Sequence, residues 1–396
     1  MKKICLNKAK IYTGLMEIEQ GAILIENNRI KDVLFETRLK KLNPDSSYEV
    51  IDLEGKIITP GFIDTHIHGI GGFGTENGEQ DDILGMSRCL PRYGVTRFCP
   101  TLYPSDEESF IYNIRNISDT IGFEQGALIQ GLHLEGPFIS KLHCGVQLPE
   151  YIKDVDLSLM KKFIKAGKGN ISIMTVAPEL KNMRELAIYC LKQGIILSAG
   201  HTDATYENMM EGMQAGIMHS THFFNAMRPL KHRDPGCVGA ILLNNSLSCE
   251  VIADGFHVHP AIIKFLVKEK PIERIILVTD SLRPTHQTDG PLYANNEEVF
   301  LGETGVFQRV SDGIIAGSSA TLDKCVRNMI QWGITPSDAV KMATVNPARL
   351  LKIDSERGIL MPGAFADLNI LNDKFEVLET YVEGKSISGE RRTEWN

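Results

Sequence analysis

Three absences narrow what this sequence of 396 residues can be. It has no apolar run longer than a buried strand, and Met1 leads directly into strand-like sequence, so we expect neither a membrane span nor a signal peptide. Its eight cysteines form no Cys-x-x-Cys pair and lie mostly among apolar residues, as reduced, packed thiols do. A net charge of −8 without a basic cluster argues against nucleic acid as a partner. We therefore expect a cytoplasmic protein.

What the sequence does contain is enough apolar residues, 43%, for a large core and a smaller second one. The N-terminal part reads as short alternating strands, with a hairpin signal at Asn27-Asn28. The C-terminal part is again strand-like at 367–371 and 377–385. We expect the two ends to pair. The predicted domains are a small discontinuous β-sandwich, 1–59 with 357–396, and a large domain, 60–356.

Strand and helix patterns alternate through the large domain. Eight strands with helices between them predict an α/β fold, the parallel (β/α)8 TIM barrel. The strand candidates are 60–68, 96–100, 127–135, 171–176, 195–200, 216–221, 248–253 and 274–279. The helix candidates are 81–93, 106–121, 154–166, 180–193 and 206–215.

Two histidines stand one residue apart at the end of the first strand candidate. Alternate side chains of a strand face the same way, so His66 and His68 can point at a single metal. Taken alone, a His-x-His pair is as typical of packed or solvent-facing histidines as of ligands.

Further imidazole and carboxylate groups follow other strand candidates. Each could be an ordinary polar residue where a strand meets its loop, but six such groups at the exits of five strands favour a metal site. The carboxyl ends of parallel barrel strands open on one mouth, where these groups would converge. Imidazole and carboxylate are ligands of zinc and of ferrous iron. The candidate ligands are His66, His68, Glu135, His201, His222 and Asp280.

Five motifs carry a resemblance to a known family. The segment 60–69, Pro-Gly-Phe-Ile-Asp-Thr-His-Ile-His-Gly, resembles the opening of the amidohydrolase superfamily. The strings His-Leu-Glu-Gly-Pro-Phe at 133–138, Gly-His-Thr-Asp-Ala at 200–204, Thr-His-Phe-Phe-Asn-Ala-Met at 221–227 and Ala-Asp-Gly-Phe-His-Val at 253–258 resemble the N-acetylglucosamine-6-phosphate deacetylase family. The resemblance extends from about residue 55 to 363.

The resemblance implies roles for the residues that match. Glu135, His201 and His222 would hold the metal that all members keep. His66 and His68 stand where some members hold a second metal, so one or two zinc or iron ions are expected. Asp280 would be the catalytic acid and base, because a carboxylate can take the proton of the attacking water and return it to the leaving nitrogen. A bound metal would lower the pKa of that water to about 7 and polarise the amide carbonyl.

The resemblance also implies a phosphosugar substrate and a homodimer, because an arginine acts across the subunit interface in this family. Arg233 is the match, although Lys231 or His232 could serve instead. His257 would contact the sugar, and the turn containing Ser318 resembles a loop on the sugar side. The substrate-binding candidates are Gln147, Asn225, Ala226, Arg233, His257 and Ser318.

Two departures leave the substrate open. Gln147 stands where the family carries a substrate-facing histidine, and Gln can donate a hydrogen bond but cannot carry charge. The loop 281–290 is bulkier and more polar than is usual in the family. The alternatives are a sister enzyme for another N-acyl hexosamine phosphate, such as the galactosamine epimer, or for an unphosphorylated amide. A catalytically silent scaffold is the non-enzyme alternative.

Overall fold

Eight parallel strands form the centre of the protein, whose computed structural model describes residues 3–42, 47–303 and 305–387. The first six pair in chain order as a half-barrel of parallel sheet, and the last two pair with each other. The result is a mixed α/β fold. The strands are Phe62–Ile67, Val95–Leu102, Leu132–Glu135, Ile171–Val176, Ile196–Ala199, His219–Ser220, Cys249–Ile252 and Ile275–Val278.

Helices pack against these strands, most of them through one apolar face. The helix Leu157–Gly167, for example, buries Leu159, Met160 and Phe163 and is capped by the Asp156 carboxylate. The strand Val95–Leu102 is buried at every position, as expected for parallel strands covered on both sides. The helices of this region are Gln80–Cys89, Glu107–Thr120, Leu157–Gly167, Met183–Lys192, Tyr206–Gln214, Gly236–Leu243, Pro260–Glu269, Leu322–Gln331, Pro336–Ala343 and Val345–Leu350.

The predicted strand 127–135 is split in two, into Leu128–Ile129 and Leu132–Glu135. Gly131 causes the break. It has a φ of 118°, and a Cβ there would lie 1.9 Å from the Ser172 hydroxyl oxygen, so only glycine fits. The strand 171–176 is confirmed at both ends, whereas only His219–Ser220 of the candidate 216–221 is a strand.

A second sheet combines the two ends of the chain. Ile57–Pro60 pairs antiparallel with Leu368–Leu371, and the predicted hairpin is confirmed, with Asn27 in the left-handed region at φ 58°. The predicted end segments also include 1–2, 43–46 and 388–396, which lie outside the described residues. The strands of this sheet are Lys3–Tyr12, Glu17–Glu26, Arg29–Phe35, Glu49–Asp52, Ile57–Pro60, Leu368–Leu371, Val377–Val382 and Lys385–Ser386, and the short helix Glu36–Leu42 follows the third.

A small antiparallel sheet, which the sequence did not predict, follows the last parallel strand. Its inner residues, such as Val299 and Phe307, pack with Tyr103 and Leu282 beside the carboxyl ends of the parallel strands. Its strands are Tyr293–Ala294, Glu297–Leu301, Val306–Arg309 and Ile315–Ser318, and a hairpin of Gly69–Ile70 and Phe73–Gly74 lies in the first loop. Within the described ranges, every helix is too short or too polar to cross a membrane.

Candidate metal centre

The first ligand group gathers side chains from three different parallel strands. Glu135 Oε1 lies 3.2 Å from His201 Nε2 and 3.1 Å from His222 Nε2. All three residues are at least nine-tenths buried. They come together because each lies at the carboxyl end of a parallel strand or shortly after it. These carboxyl ends open on the same side of the sheet.

The second ligand group lies beside the first. His66 Nε2 is 3.3 Å from His68 Nε2, and Asp280 Oδ1 lies 3.5 Å and 3.4 Å from these two nitrogens. Glu135 faces this group as well, with Oε1 3.4 Å from His66 Nε2 and Oε2 3.3 Å from His68 Nε2. The six predicted ligands therefore form one cluster, in which Glu135 is common to both groups.

The hydrogen bonds of the imidazole rings show that the cluster suits a cation. His201 Nδ1 lies 2.9 Å from the carbonyl oxygen of His143, and His68 Nδ1 lies 2.9 Å from that of Thr101. A carbonyl oxygen only accepts, so each Nδ1 carries the proton, and each Nε2 of a neutral ring presents a lone pair. His201 Nε2 is also only 3.0 Å from His222 Nε2. A divalent ion fits among such lone pairs and carboxylates.

The pKa shifts within the cluster also indicate that the site favours positive charge. Burial raises the pKa of Glu135, but His66, His201 and His222 outweigh it and hold that pKa well below its ordinary value. Burial lowers the pKa of His66, but the charges of Asp280 and Glu135 outweigh it and raise that pKa well above its ordinary value. The buried carboxylates thus favour positive charge beside them, which a metal ion would supply in place of protons.

Three of the predicted ligands have a backbone conformation that is uncommon for residues other than glycine. His201, His222 and Asp280 have φ values of 46°, 27° and 48°. The Asp280 amide donates to the carbonyl oxygen of His66 at 2.9 Å, which fixes the turn after the last parallel strand. Such strained residues concentrate at functional sites, where the surrounding structure holds them in place.

A cavity of about 500 Å³ opens above the cluster. Four predicted substrate-binding residues line it, namely Gln147, Asn225, Ala226 and His257. His257 is held by a 2.6 Å hydrogen bond between its Nδ1 and the Asp254 carboxylate. Burial lowers the pKa of His257, but the Asp254 carboxylate outweighs it, so the pKa is raised.

Gln147 is anchored at one end only. Its Nε2 donates to Glu135 Oε2 at 2.5 Å, and the carboxylate oxygen can only accept this bond. The carbonyl oxygen Oε1 of Gln147 is buried and has no hydrogen-bond partner. Gln147 therefore lines the cavity and has one acceptor without a partner in the protein.

Two predicted substrate-binding residues lie outside the cavity lining. Arg233 is exposed on the turn that joins Lys231 to Asp234. Ser318 is fully buried and donates to the carbonyl oxygen of Thr279 at 2.5 Å, while its neighbours Ala316 and Gly317 form the cavity wall.

Sequence reasoning missed two residues that contact the cluster. The Tyr103 ring stacks on His68, with centroids 3.8 Å apart. Glu250 accepts a hydrogen bond from His66 Nδ1 at 3.1 Å. A signal for Glu250 existed, because a carboxylate inside the apolar run 248–253 must find a buried partner.

Known proteins resemble the chain over nearly its whole length. The sequence matches the amidohydrolase family over residues 57–387. It is 33% identical to the N-acetylglucosamine-6-phosphate deacetylase of Bacillus subtilis, over 97% of this chain and 96% of that one. It is 30% identical to the N-acetylgalactosamine-6-phosphate deacetylase of Escherichia coli O157:H7, over 86% and 90%. A solved mutant N-acetyl-D-glucosamine-6-phosphate deacetylase of Mycobacterium smegmatis, in complex with N-acetyl-D-glucosamine-6-phosphate, has a TM-score of 0.91 at 28% identity, covering 98% and 100%.

Proposed function

Because the chain belongs to the amidohydrolase family, and within it to the N-acetylglucosamine-6-phosphate deacetylases, we propose that it hydrolyses the acetamide of N-acetylglucosamine 6-phosphate. The products are glucosamine 6-phosphate and acetate. The observation that carries this proposal is the double ligand group around Glu135, with Asp280 facing the same cavity.

The proposed cofactor is one or two divalent ions, zinc or iron. Glu135, His201 and His222 would hold the first ion. His66, His68 and Asp280 would hold the second, with Glu135 between the two. When bound, such an ion lowers the pKa of its water to about 7 and polarises a carbonyl oxygen.

The remaining work falls to the protein's own side chains. Asp280 takes the proton of the attacking water and delivers it to the leaving nitrogen, so that the amine departs neutral. His257, oriented by Asp254, contacts the sugar. Asn225 and the Ala226 backbone face the phosphate. The proposed sugar-side loop is the turn that contains Ser318.

The galactosamine epimer is the second candidate substrate. The Escherichia coli relative is named for that substrate. Gln147 leaves this candidate open, because Gln147 lies next to the cluster in place of the histidine that the family carries there. An amide without phosphate is a third possibility for the same cavity.

The test measures acetate release by metal-loaded protein from three substrates: N-acetylglucosamine 6-phosphate, its galactosamine epimer and unphosphorylated N-acetylglucosamine. We expect turnover of the first to exceed that of the others. Turnover confined to the epimer would replace the substrate and leave the reaction intact. No acetate from any of the three would overturn the proposal.

A catalytically silent scaffold is the rival outside enzymes. Proteins of that kind lose ligands or proton carriers, whereas all six ligand positions are filled here. Metal content of protein purified from cells separates the two, because a scaffold has no need to retain divalent ions.

We further infer that the protein is a cytoplasmic homodimer, with Arg233 reaching the phosphate bound by the neighbouring subunit. Support comes from the exposed position of Arg233, outside the cavity of its own subunit. All eight cysteines lie within the described chain and are free, six of them buried, which suits a reducing compartment.

The proposed architecture is a closed (β/α)8 barrel spanning 60–356 beside a β-sandwich of the two ends, 1–59 and 357–396. Two backbone hydrogen bonds support closure. The Phe223 amide donates to the Glu250 carbonyl at 2.8 Å, between the sixth and seventh strands, and Asp280 is joined to His66 between the eighth and first. The buried residues of the terminal sheet form a core of their own.

A further inference from the structure

A fully buried carboxylate lies directly beneath the second ligand group. Glu250 is the one charged residue of the strand Cys249–Ile252, and its exposed fraction is 0%. Its Oε2 accepts from His66 Nδ1 at 3.1 Å and from the His222 backbone amide at 3.3 Å. Its Oε1 accepts from the Thr65 hydroxyl at 3.1 Å and lies 3.3 Å from His219 Nε2.

We propose that Glu250 is a positioning residue that determines whether the second metal ion is held, acting through His66. The carboxylate fixes the proton on Nδ1 of His66, so that Nε2 turns its lone pair toward His68 and Asp280. Carboxylate partners of this kind orient a ligating imidazole and raise its basicity. Glu250 does not line the substrate cavity. Its oxygens contact none of the side-chain atoms that would bind a metal.

The partners of the other imidazoles explain why the second ion depends on Glu250 more than the first does. His201 and His68 are oriented by neutral backbone carbonyls. At Nδ1, His66 alone among the four predicted ligand rings meets a carboxylate, since His222 Nδ1 is buried without a hydrogen-bond partner. In the first group, Glu250 contacts only the backbone amide of His222. A neutral oxygen can also accept the hydrogen bond of that amide.

Charge balance leads to the same conclusion. One divalent ion is neutralised by the carboxylates of Glu135 and Asp280. A second ion adds two positive charges in a buried region, where uncompensated charge is costly. Glu250 is a further buried carboxylate that contacts a ligand ring, and it would offset part of that charge.

A further buried imidazole, that of His219, lies beside Glu250. His219 Nδ1 lies 2.8 Å from the Ser248 hydroxyl oxygen, which leaves His219 Nε2 directed toward Glu250. Both His219 and Ser248 are buried. Glu250 is therefore enclosed by Thr65, His66 and His219, all of them fully buried.

The inference rests on the metal site of the proposed function but not on its substrate, so metal affinity tests it separately from activity. We would titrate apo-protein with Zn²⁺ against a competing chelator and count bound ions by mass spectrometry. Glu250→Gln removes the charge and keeps the shape. The matched control is Glu379→Gln, the same change at another buried carboxylate, in the terminal sheet.

We expect Glu250→Gln to bind the second equivalent of Zn²⁺ about 10- to 100-fold more weakly and the first equivalent as the wild type does. Glu379→Gln should bind both normally. If Glu250→Gln does not fold, Thr65→Val decides, because it removes one donor to Glu250 and should weaken the second equivalent selectively. Wild-type affinity for the second ion in a folded Glu250→Gln protein, or equal weakening of both ions, would overturn the inference. A failure to release acetate, with metal binding as expected, would not overturn the inference.

Discussion

At the scale of the residue, Asp280 is the side chain that carries the proton in the proposed reaction. Asp280→Asn keeps an oxygen near His66 and His68 but cannot take up a proton. We expect kcat for acetate release to fall about 10²- to 10⁴-fold, the usual contribution of a general acid and base. Steady-state kinetics at saturating metal and substrate measure this loss.

The control for that substitution is Asp289→Asn, at an exposed carboxylate of the loop that follows Asp280. It should turn over as the wild type does. If Asp280→Asn retained wild-type kcat with its metal bound, the proton would have to be carried by another group, and His257 would be the next to test.

Gln147 offers a second prediction at this scale. Gln147 lines the cavity and its Oε1 has no partner in the protein, so we expect Oε1 to accept a hydrogen bond from the amide N–H of the substrate while Nε2 stays on Glu135. Gln147→Leu loses both contacts. A neutral hydrogen bond contributes about 1 kcal/mol, so we expect kcat/KM to fall by about fivefold, mainly through a higher KM.

Gln147→His provides the comparison, since it installs the residue that the family carries there. It should retain more activity than Gln147→Leu, because an imidazole can also bond to Glu135. An unchanged KM in Gln147→Leu would show that the acceptor does not touch the substrate.

At the scale of elements, a group of ion pairs fastens the terminal sheet to the second parallel strand. Arg97, in that strand, bonds Glu383 at 2.8 Å and Asp367 at 3.3 Å, and Arg357 bonds Glu383 at 2.7 Å. Burial raises the pKa of Glu383, but Arg357 and Arg97 outweigh it, so the pKa is lowered.

The lowered pKa gives a prediction about acid. The ionised form of Glu383 stabilises the fold above its ordinary pKa, and this stabilisation is lost as pH falls through the lower native value. The Tm of wild type should therefore exceed that of Glu383→Gln at pH 7, and the difference should shrink below about pH 4.5. Thermal unfolding of both proteins across this range tests it, and a difference independent of pH would contradict it.

Elements were predictable from sequence where one local pattern decided them. The strand 171–176 is a short apolar run between polar segments, and the Asn27-Asn28 hairpin depends on turn chemistry alone. The antiparallel sheet 293–318 was missed because its strands are short and partly exposed, and because packing on Tyr103 and Leu282 orders them.

The same distinction applies to the ligand cluster. The sequence could predict Glu135, His201 and His222, because each lies at the carboxyl end of a strand or shortly after it. The carboxyl ends of parallel strands meet at one side of the sheet. Glu250 could not be assigned a role, because its partners come from other strands. Which ring nitrogen it meets is decided only when the strands are assembled.

At the scale of the whole molecule, the proposed role of Arg233 can be tested by mixing two inactive variants. Asp280→Asn lacks the proton carrier but keeps Arg233, and Arg233→Ala has the reverse defect. If Arg233 serves the neighbouring subunit, a mixed dimer has one complete site, made of Asp280 from one chain and Arg233 from the other. Random mixing should restore about a quarter of wild-type acetate release, since half the dimers are mixed and each has one competent site.

Each variant by itself is expected to have little activity. Recovery on mixing therefore depends only on whether Arg233 serves its own subunit or the neighbouring one. Arg233 acting within its own subunit would give no recovery, since every site would then lack one of the two residues. Mixing Asp280→Asn with Lys231→Ala or His232→Ala, at exposed neighbours on the same turn, identifies the cation. If one of these variants shows the loss and recovery expected of Arg233→Ala, that residue replaces Arg233 while the site remains shared between subunits.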